Sequence, residues 1–240
     1  MRTDLHFHLL PGVDDGPRDD REAIELAQLA VADGTGELVA TPHVRRLDVE
    51  ELPLRTDELC ACLDEAGVDL AVRSGGELSP GDVSALSGEQ LEALAEGPPA
   101  GRWLLLEAPL QPLEADLAEA ADELRERGFG VVIAHPERCP ELTAAEIRRQ
   151  VELGACLQLN ASSLTGQHGA DAERAALELV RSELPVVLAS DAHSPSRPPL
   201  LTQAAQTLAA AGIGAARIRT AVDTGPAALL ARGLPVPAAR

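Results

Sequence analysis

At 240 residues and a formal net charge of −19, the chain can bury one sizeable core but is too acidic for a nucleic-acid groove, which needs a basic stripe. All 20 basic residues are Arg, which excludes Schiff-base lysine chemistry and a Walker-type phosphate loop. With one Trp, two Phe and no Tyr, the core falls to Leu, Ala, Val and Ile.

Short apolar runs alternate with amphipathic segments along the whole chain. Strands are predicted at Arg2–His6, Glu37–Ala40, Leu70–Val72, Trp103–Leu106, Gly130–Ala134, Cys156–Leu159 and Val186–Ala189. Between them, Asp20–Asp33 has a helical spacing of Ile24, Ala27 and Val31, with Gly34 placed as a C-terminal cap. Leu47–Gly67 reads as helical but interrupted by Pro53, and Leu86–Glu96 as a weaker helix. Further helices are expected at Leu113–Arg127, Thr143–Leu153, Asp171–Arg181 and Leu200–Ala211. Strand–helix alternation implies parallel strands with right-handed crossovers, in an open sheet or a closed barrel. No linker or composition shift divides the chain, so residues 1–240 read as one domain.

The cysteines, Cys60, Cys62, Cys139 and Cys156, form no C-x-x-C pair, and none has an Arg six positions later, so a Cys-x5-Arg phosphatase loop is absent. They read as buried or free thiols of a reducing compartment. The charged strand at the N-terminus is no signal peptide, and no apolar run approaches the roughly 20 residues that span a bilayer. A cytoplasmic protein without membrane insertion is expected.

Each strand runs into a polar residue at its C-terminal end. In order these are His6 and His8, His43, Glu77, Glu107, His135, Asn160, and Asp191 with His193. Residues i and i+2 of a strand face one side, so His6 projects with His8, and Asp191 with His193. If the sheet closes, all converge on one rim, where barrel enzymes carry their sites. Imidazoles and carboxylates sharing a cavity attract a cation, and this donor mix suits Mn, Fe or Zn. His168 lies outside the pattern and reads as a surface histidine rather than a substrate contact. Arg45–Arg46 and Arg148–Arg149 read as solvated faces.

The D-x-H-x-H start, the G-x-E and the closing S-D-A-H resemble the polymerase-and-histidinol-phosphatase (PHP) superfamily. Within it, LLPGVDDGP, ATPH, AHPER, LNASSLTG and SDAHSPSRPP are similar to the bacterial capsule-associated protein-tyrosine phosphatases. The resemblance runs from Arg2 to about Gly233 and implies a single-domain α/β fold, a distorted (β/α)7 barrel holding up to three divalent cations, with Mn favoured. It implies that His6, His8, Glu77 and Asp191 bind the first cation. Glu77 would bridge to a second held by Glu107 and His135, and Asp15, His43 and His193 would hold a third. Either Asp14 or Asp15 could serve there, and the DDGP string favours Asp15. Arg138 and Arg197 match arginines that receive the phosphate. A water bridging two cations would then lose its proton near neutral pH and attack phosphorus in line. The implied substrate is a phosphotyrosine-bearing protein, such as the tail of a bacterial tyrosine kinase controlling polysaccharide export. Alternatives are a small phosphomonoester such as histidinol phosphate, or a non-catalytic PHP module.

Overall fold

The computed structural model describes residues 1–110 and 116–235, so the start of the expected Leu113–Arg127 helix lies outside the described residues. In chain order the strands are β1 (Arg2–Phe7), β2 (Thr35–Ala40), β3 (Ala71–Ser74), β4 (Glu77–Leu78), β5 (Trp103–Glu107), β6 (Gly130–Ala134), β7 (Cys156–Asn160) and β8 (Val186–Ala189). The helices are α1 (Asp20–Ala32), α2 (Leu52–Glu65), α3 (Gly88–Leu94), α4 (Leu117–Glu126), α5 (Ala144–Glu152), α6 (Ala161–Leu164), α7 (Ala170–Arg181), α8 (Leu201–Ala210), α9 (Ala215–Arg219) and α10 (Gly225–Arg232).

The helices start where local chemistry satisfies their free N–H groups. Asp19 caps α1 by accepting from the Glu22 N–H, and Asp116 caps α4. Thr143 and Glu146 cap α5 reciprocally, as Ser87 and Gln90 do for α3. Gly34 stands just after α1 at φ +98°, the left-handed geometry expected of it. The expected interruption at Pro53 is instead a beginning. Residues 44–46 and 49–51 form short 3-10 turns, and α2 starts at Leu52 with Pro53 in its first turn, where a missing N–H costs nothing.

The strands pair in parallel as β1–β2–β3 and β4–β5–β6–β7–β8. The predicted third strand therefore continues as two pieces, broken at Gly75-Gly76. A Cβ on Gly75 would lie 2.6 Å from Val39 Cγ1, and one on Gly76 would lie 2.7 Å from both Val44 Cγ2 and Leu94 Cδ2. Only glycine lets the backbone pass so close to its neighbours. Parallel bridges join the two sheets at both edges, Phe7 to Ala192 and His43 to Glu77.

Alternation along the strands separates two apolar sets. Leu104, Leu106, Val131, Ile133 and Leu188 join the larger cluster against the helices. Trp103, Leu105, Val132, Ala134 and Val187 form a smaller one with Leu5 and Leu229. Trp103 is only 1% exposed and donates its indole N–H to Leu229 O at 3.1 Å. Phe7 belongs to the larger cluster and so lies on the opposite side of β1 from the histidines beside it.

Candidate metal centre

The polar strand ends come together. His6, His8, Glu77, Glu107, His135, Asp191 and His193 are all buried. Nine side chains group by ligand-atom proximity into four overlapping sets: His6, His8 and Asp191; His6, Glu77 and His135; His43, Glu77 and Glu107; and His8, Asp15, His43 and His193. Within each set the candidate atoms lie within 4.8 Å of one another. These nine are the residues singled out from the sequence.

Glu77 stands at the centre. Its Oε1 is 3.0 Å from His135 Nε2, while its Oε2 is 3.0 Å from His43 Nδ1, 3.5 Å from His6 Nε2 and 3.4 Å from His8 Nε2. Asp191 Oδ1 is 3.3 Å from His6 Nε2 and 3.4 Å from His8 Nε2. His8 stacks on His193 with ring centroids 3.8 Å apart. The backbone bends to allow this: His135 (φ +35°) and Asp191 (φ +51°) are the non-glycine residues in the left-handed region among the described residues. Such strain of about 1–3 kcal/mol per residue collects at functional sites.

The rings are aimed from behind. His6 Nδ1 bonds Gln158 Oε1 at 2.9 Å, His8 Nδ1 bonds Asp14 Oδ2 at 2.7 Å, and His193 Nδ1 bonds the Asp191 carbonyl at 2.9 Å. Each bond turns Nε2 toward the centre and fixes the tautomer. Asn160 donates to Asp191 Oδ2 at 2.6 Å. The neighbours Asp14 and Asp15 thus divide their work. Asp14 is a buried acceptor for the His8 ring and for the N–H groups of His43 and Gly16, both at 2.9 Å. Asp15 is about half exposed and lies 3.4 Å from His43 Nε2 and 3.7 Å from His193 Nε2. The role of Asp14, Gln158 and Ser79 was not read from sequence. A carboxamide two residues before Asn160, on the same face of β7, was the available signal for Gln158.

Charge follows the geometry. Burial disfavours a charged His6, but Glu77 and Asp191 outweigh it and raise its pKa to about 9; His8 is likewise held well above its ordinary value. Burial would raise Glu77, yet His6 and the hydrogen bond from His135 hold it well below the carboxylate range. Burial, with Glu77 close by, raises Glu107. His193 is pushed down to about 3 by burial and by positive His8. Glu77 Oε2 and His43 Nδ1 face each other at 3.0 Å but at an angle that makes no hydrogen bond, and His135 Nδ1 is likewise buried without a partner. Such orphaned donors in an imidazole–carboxylate set fit divalent transition cations.

Arg138 and Arg197 border the cluster. Arg138 reaches Asp191 Oδ2 at 3.2 Å. A turn in which the Arg197 N–H bonds Ser194 O at 2.9 Å folds Arg197 back over His193, 3.9 Å from Asp15 and from Asp191. Arg45 is exposed, as a solvated face requires, and also donates to Ser79 Oγ, which donates to Glu107 at 3.2 Å. His168 is half-buried, with Nε2 2.9 Å from Ser162 Oγ. The thiols stand apart; burial raises Cys139 and pushes Cys156 up to about 12.

Parallel strands packed with helices, with a histidine–carboxylate cluster and two arginines past the strand C-termini, place the chain in the class of α/β proteins that carry a candidate metal site at their strand ends. The chain belongs to the family described as Capsular polysaccharide synthesis, CpsB/CapC, which it matches over residues 2–230. CapC of Staphylococcus aureus is 32% identical over 211 residues, covering 84% of this chain and 81% of that protein. Tyrosine-protein phosphatase YwqE of Bacillus subtilis is 32% identical over 199 residues, covering 80% and 77%. A solved structure from work on YwqE and Streptococcus pneumoniae CpsB, described as metal-dependent tyrosine phosphatases, superposes with TM-score 0.82 at 28% identity, covering 99% of this chain and 100% of that one. A phosphotriesterase homology protein of Escherichia coli shares the fold at TM-score 0.65 and 14% identity, over 94% and 97%.

Proposed function

We propose that the chain removes phosphate from phosphotyrosine on proteins, using the cluster at the strand ends. It is a metal-dependent tyrosine-protein phosphatase of a capsule-linked family, as its relatives' names and the metal-dependent neighbour support. The observation that carries the reading is the convergence of nine histidine and carboxylate side chains beside two arginines.

We read residues 1–240 as one domain, a distorted (β/α)7 barrel of the PHP type in which β3 and β4 are halves of one strand. The bridges at both sheet edges support this. In this reading His6, His8, Glu77 and Asp191 hold a first cation, Glu77, Glu107 and His135 a second, and Asp15, His43 and His193 a third. Mn2+ is favoured, with Fe or Zn compatible with the donors. Bound cations would supply Lewis acidity and lower the pKa of water at the site.

The chain's own groups do the rest. Gln158, Asp14 and the Asp191 carbonyl keep three imidazoles in a tautomer whose Nε2 lone pair faces inward. Arg138 and Arg197 stand where guanidinium forks can take phosphoryl oxygens and offset charge developing on them. A cysteine nucleophile is not needed, and buried Cys139 and Cys156 are held as thiols. The partner is read as a phosphotyrosine-bearing tail of a bacterial tyrosine kinase in the cytoplasm. Among the described residues no helix is long and apolar enough to cross a membrane.

The test is a comparison of kcat/KM on a phosphotyrosine peptide and on histidinol phosphate, with Mn2+ present. A preference for the peptide is expected; a clear preference for histidinol phosphate overturns the substrate assignment.

A further inference from the structure

Between α5 and α7 the surface opens into a cavity of about 840 Å³ that the chemistry above does not use. Its volume falls in the range of about 300–1,000 Å³ typical of ligand sites. Leu142 and Ile147 line it from the α5 side, and Ala172, Ala175 and Leu179 from α7. Arg138, His168 and residues 182–184 also line it. Arg138 is also the guanidinium that reaches Asp191 at 3.2 Å, so the cavity shares a wall with the metal cluster. Its remaining lining carries both signs of charge with acid in excess, Arg148 and Arg174 with Glu137, Asp171, Glu178 and Glu183. An apolar floor with a mixed-charge border suits a polypeptide better than a polyanion or a lipid surface.

Resting on the phosphotyrosine reading, we propose that this cavity is a docking subsite for the polypeptide flanking the phosphotyrosine, taking apolar side chains on one side of it. Because Arg138 lines the cavity and also reaches the cluster, a phosphate held there brings the neighbouring residues of the same chain beside the cavity. The twelve residues of α7 extend about 18 Å, the reach of about five residues of extended peptide. The apolar side chains it takes therefore lie within about five positions of the phosphotyrosine. His168 is the wall between phosphate and flank, held by Ser162 at 2.9 Å. Burial and the positive Arg138 and Arg197 push its pKa down to about 4, so this wall is uncharged at neutral pH.

The experiment uses two phosphotyrosine peptides on the intact protein with Mn2+, one with Leu and Val in the five residues on either side, the other with Gly and Ser. p-Nitrophenyl phosphate, which has no flank, is the control. The wild type is expected to prefer the apolar peptide by about tenfold in kcat/KM. Ala175→Arg and Leu179→Arg, which fill the cavity, are expected to raise KM for that peptide about tenfold while p-nitrophenyl phosphate kinetics stay within twofold. Equal rates on the two peptides overturn the subsite even if neither variant folds. So do variants that affect peptide and control alike, or variants that change the sedimentation of the protein, which would make the cavity a self-interface. Hydrolysis of neither the peptides nor the control would instead overturn the phosphatase reading.

Discussion

Asp14→Asn isolates the contribution of a side chain that never has to touch a cation. Three N–H groups converge on the Asp14 carboxylate: the His8 ring at 2.7 Å, and the backbone of His43 and Gly16, both at 2.9 Å. An amide offers one acceptor and one donor in the same volume. With its oxygen toward His8 and His43, the Gly16 N–H faces an NH2. Turned the other way, His43 N–H faces the NH2 and His8 must move its proton to Nε2, losing the lone pair that faces the cluster. Either outcome weakens His8 as a ligand. Loss of such an orienting partner costs about 10–100-fold in metal affinity, or about 1.4–2.7 kcal/mol. Manganese titration by calorimetry is expected to show that loss, with kcat recovered at excess Mn2+ because the ligands themselves remain. A dissociation constant within twofold of wild type, in a variant with an unchanged circular dichroism spectrum, would refute the reasoning.

Other consequences follow from the same geometry. His6 keeps its proton up to about pH 9 in the metal-free cluster, so a cation must displace it, and affinity is expected to rise from pH 6 to 9 with proton release measurable by calorimetry in buffers of different ionisation enthalpy. The sign reverses for stability without metal. Protonated His6, paired with Glu77 and Asp191, stabilises the fold fully below the ordinary histidine pKa and ceases to do so as pH rises through about 9; chelated protein should therefore melt lower at pH 10 than at pH 6. Gly76→Ala forces a methyl against Val44 and Leu94 and is expected to cost about 1–3 kcal/mol, read as a drop in Tm of several degrees. Alkylating the accessible thiols of the native protein should leave p-nitrophenyl phosphate hydrolysis intact; loss of activity would point to a cysteine mechanism.

The ligand set was legible because a strand imposes simple rules. Side chains two apart share a face and parallel strands present their ends together, so spacing pointed to His6 with His8 at one strand end and to Asp191 with His193 just past another, although Asp191 reaches the cluster through a left-handed turn rather than a strand. The break at Gly75-Gly76 was not, because it answers to Val39, Val44 and Leu94, which are distant in sequence. Spacing alone could not separate Asp14 from Asp15, and only the resemblance of the DDGP string favoured Asp15: which carboxylate turns inward depends on the N–H groups that His43 and Gly16 present to it. Arg45 looked like one half of a charged pair on a surface, and its link through Ser79 to Glu107 exists only once β4 and β5 are side by side. The segments after α8 lack a clean apolar period. There a π-helical stretch, Thr220–Thr224, links α9 to α10, and the latter meets Trp103 through Leu229.

Phosphate release from a phosphotyrosine peptide, followed as metal is removed and returned, tests the central claim most directly. The protein is stripped with chelator, its metal content is measured, and Mn2+ is added back to wild type and to Glu77→Gln, the substitution at the centre of the cluster. Activity is expected to vanish with the metal, to return with Mn2+ in the wild type, and to stay at least about a hundredfold lower in the variant. Full activity in metal-stripped protein, or an unimpaired Glu77→Gln variant, would contradict the account.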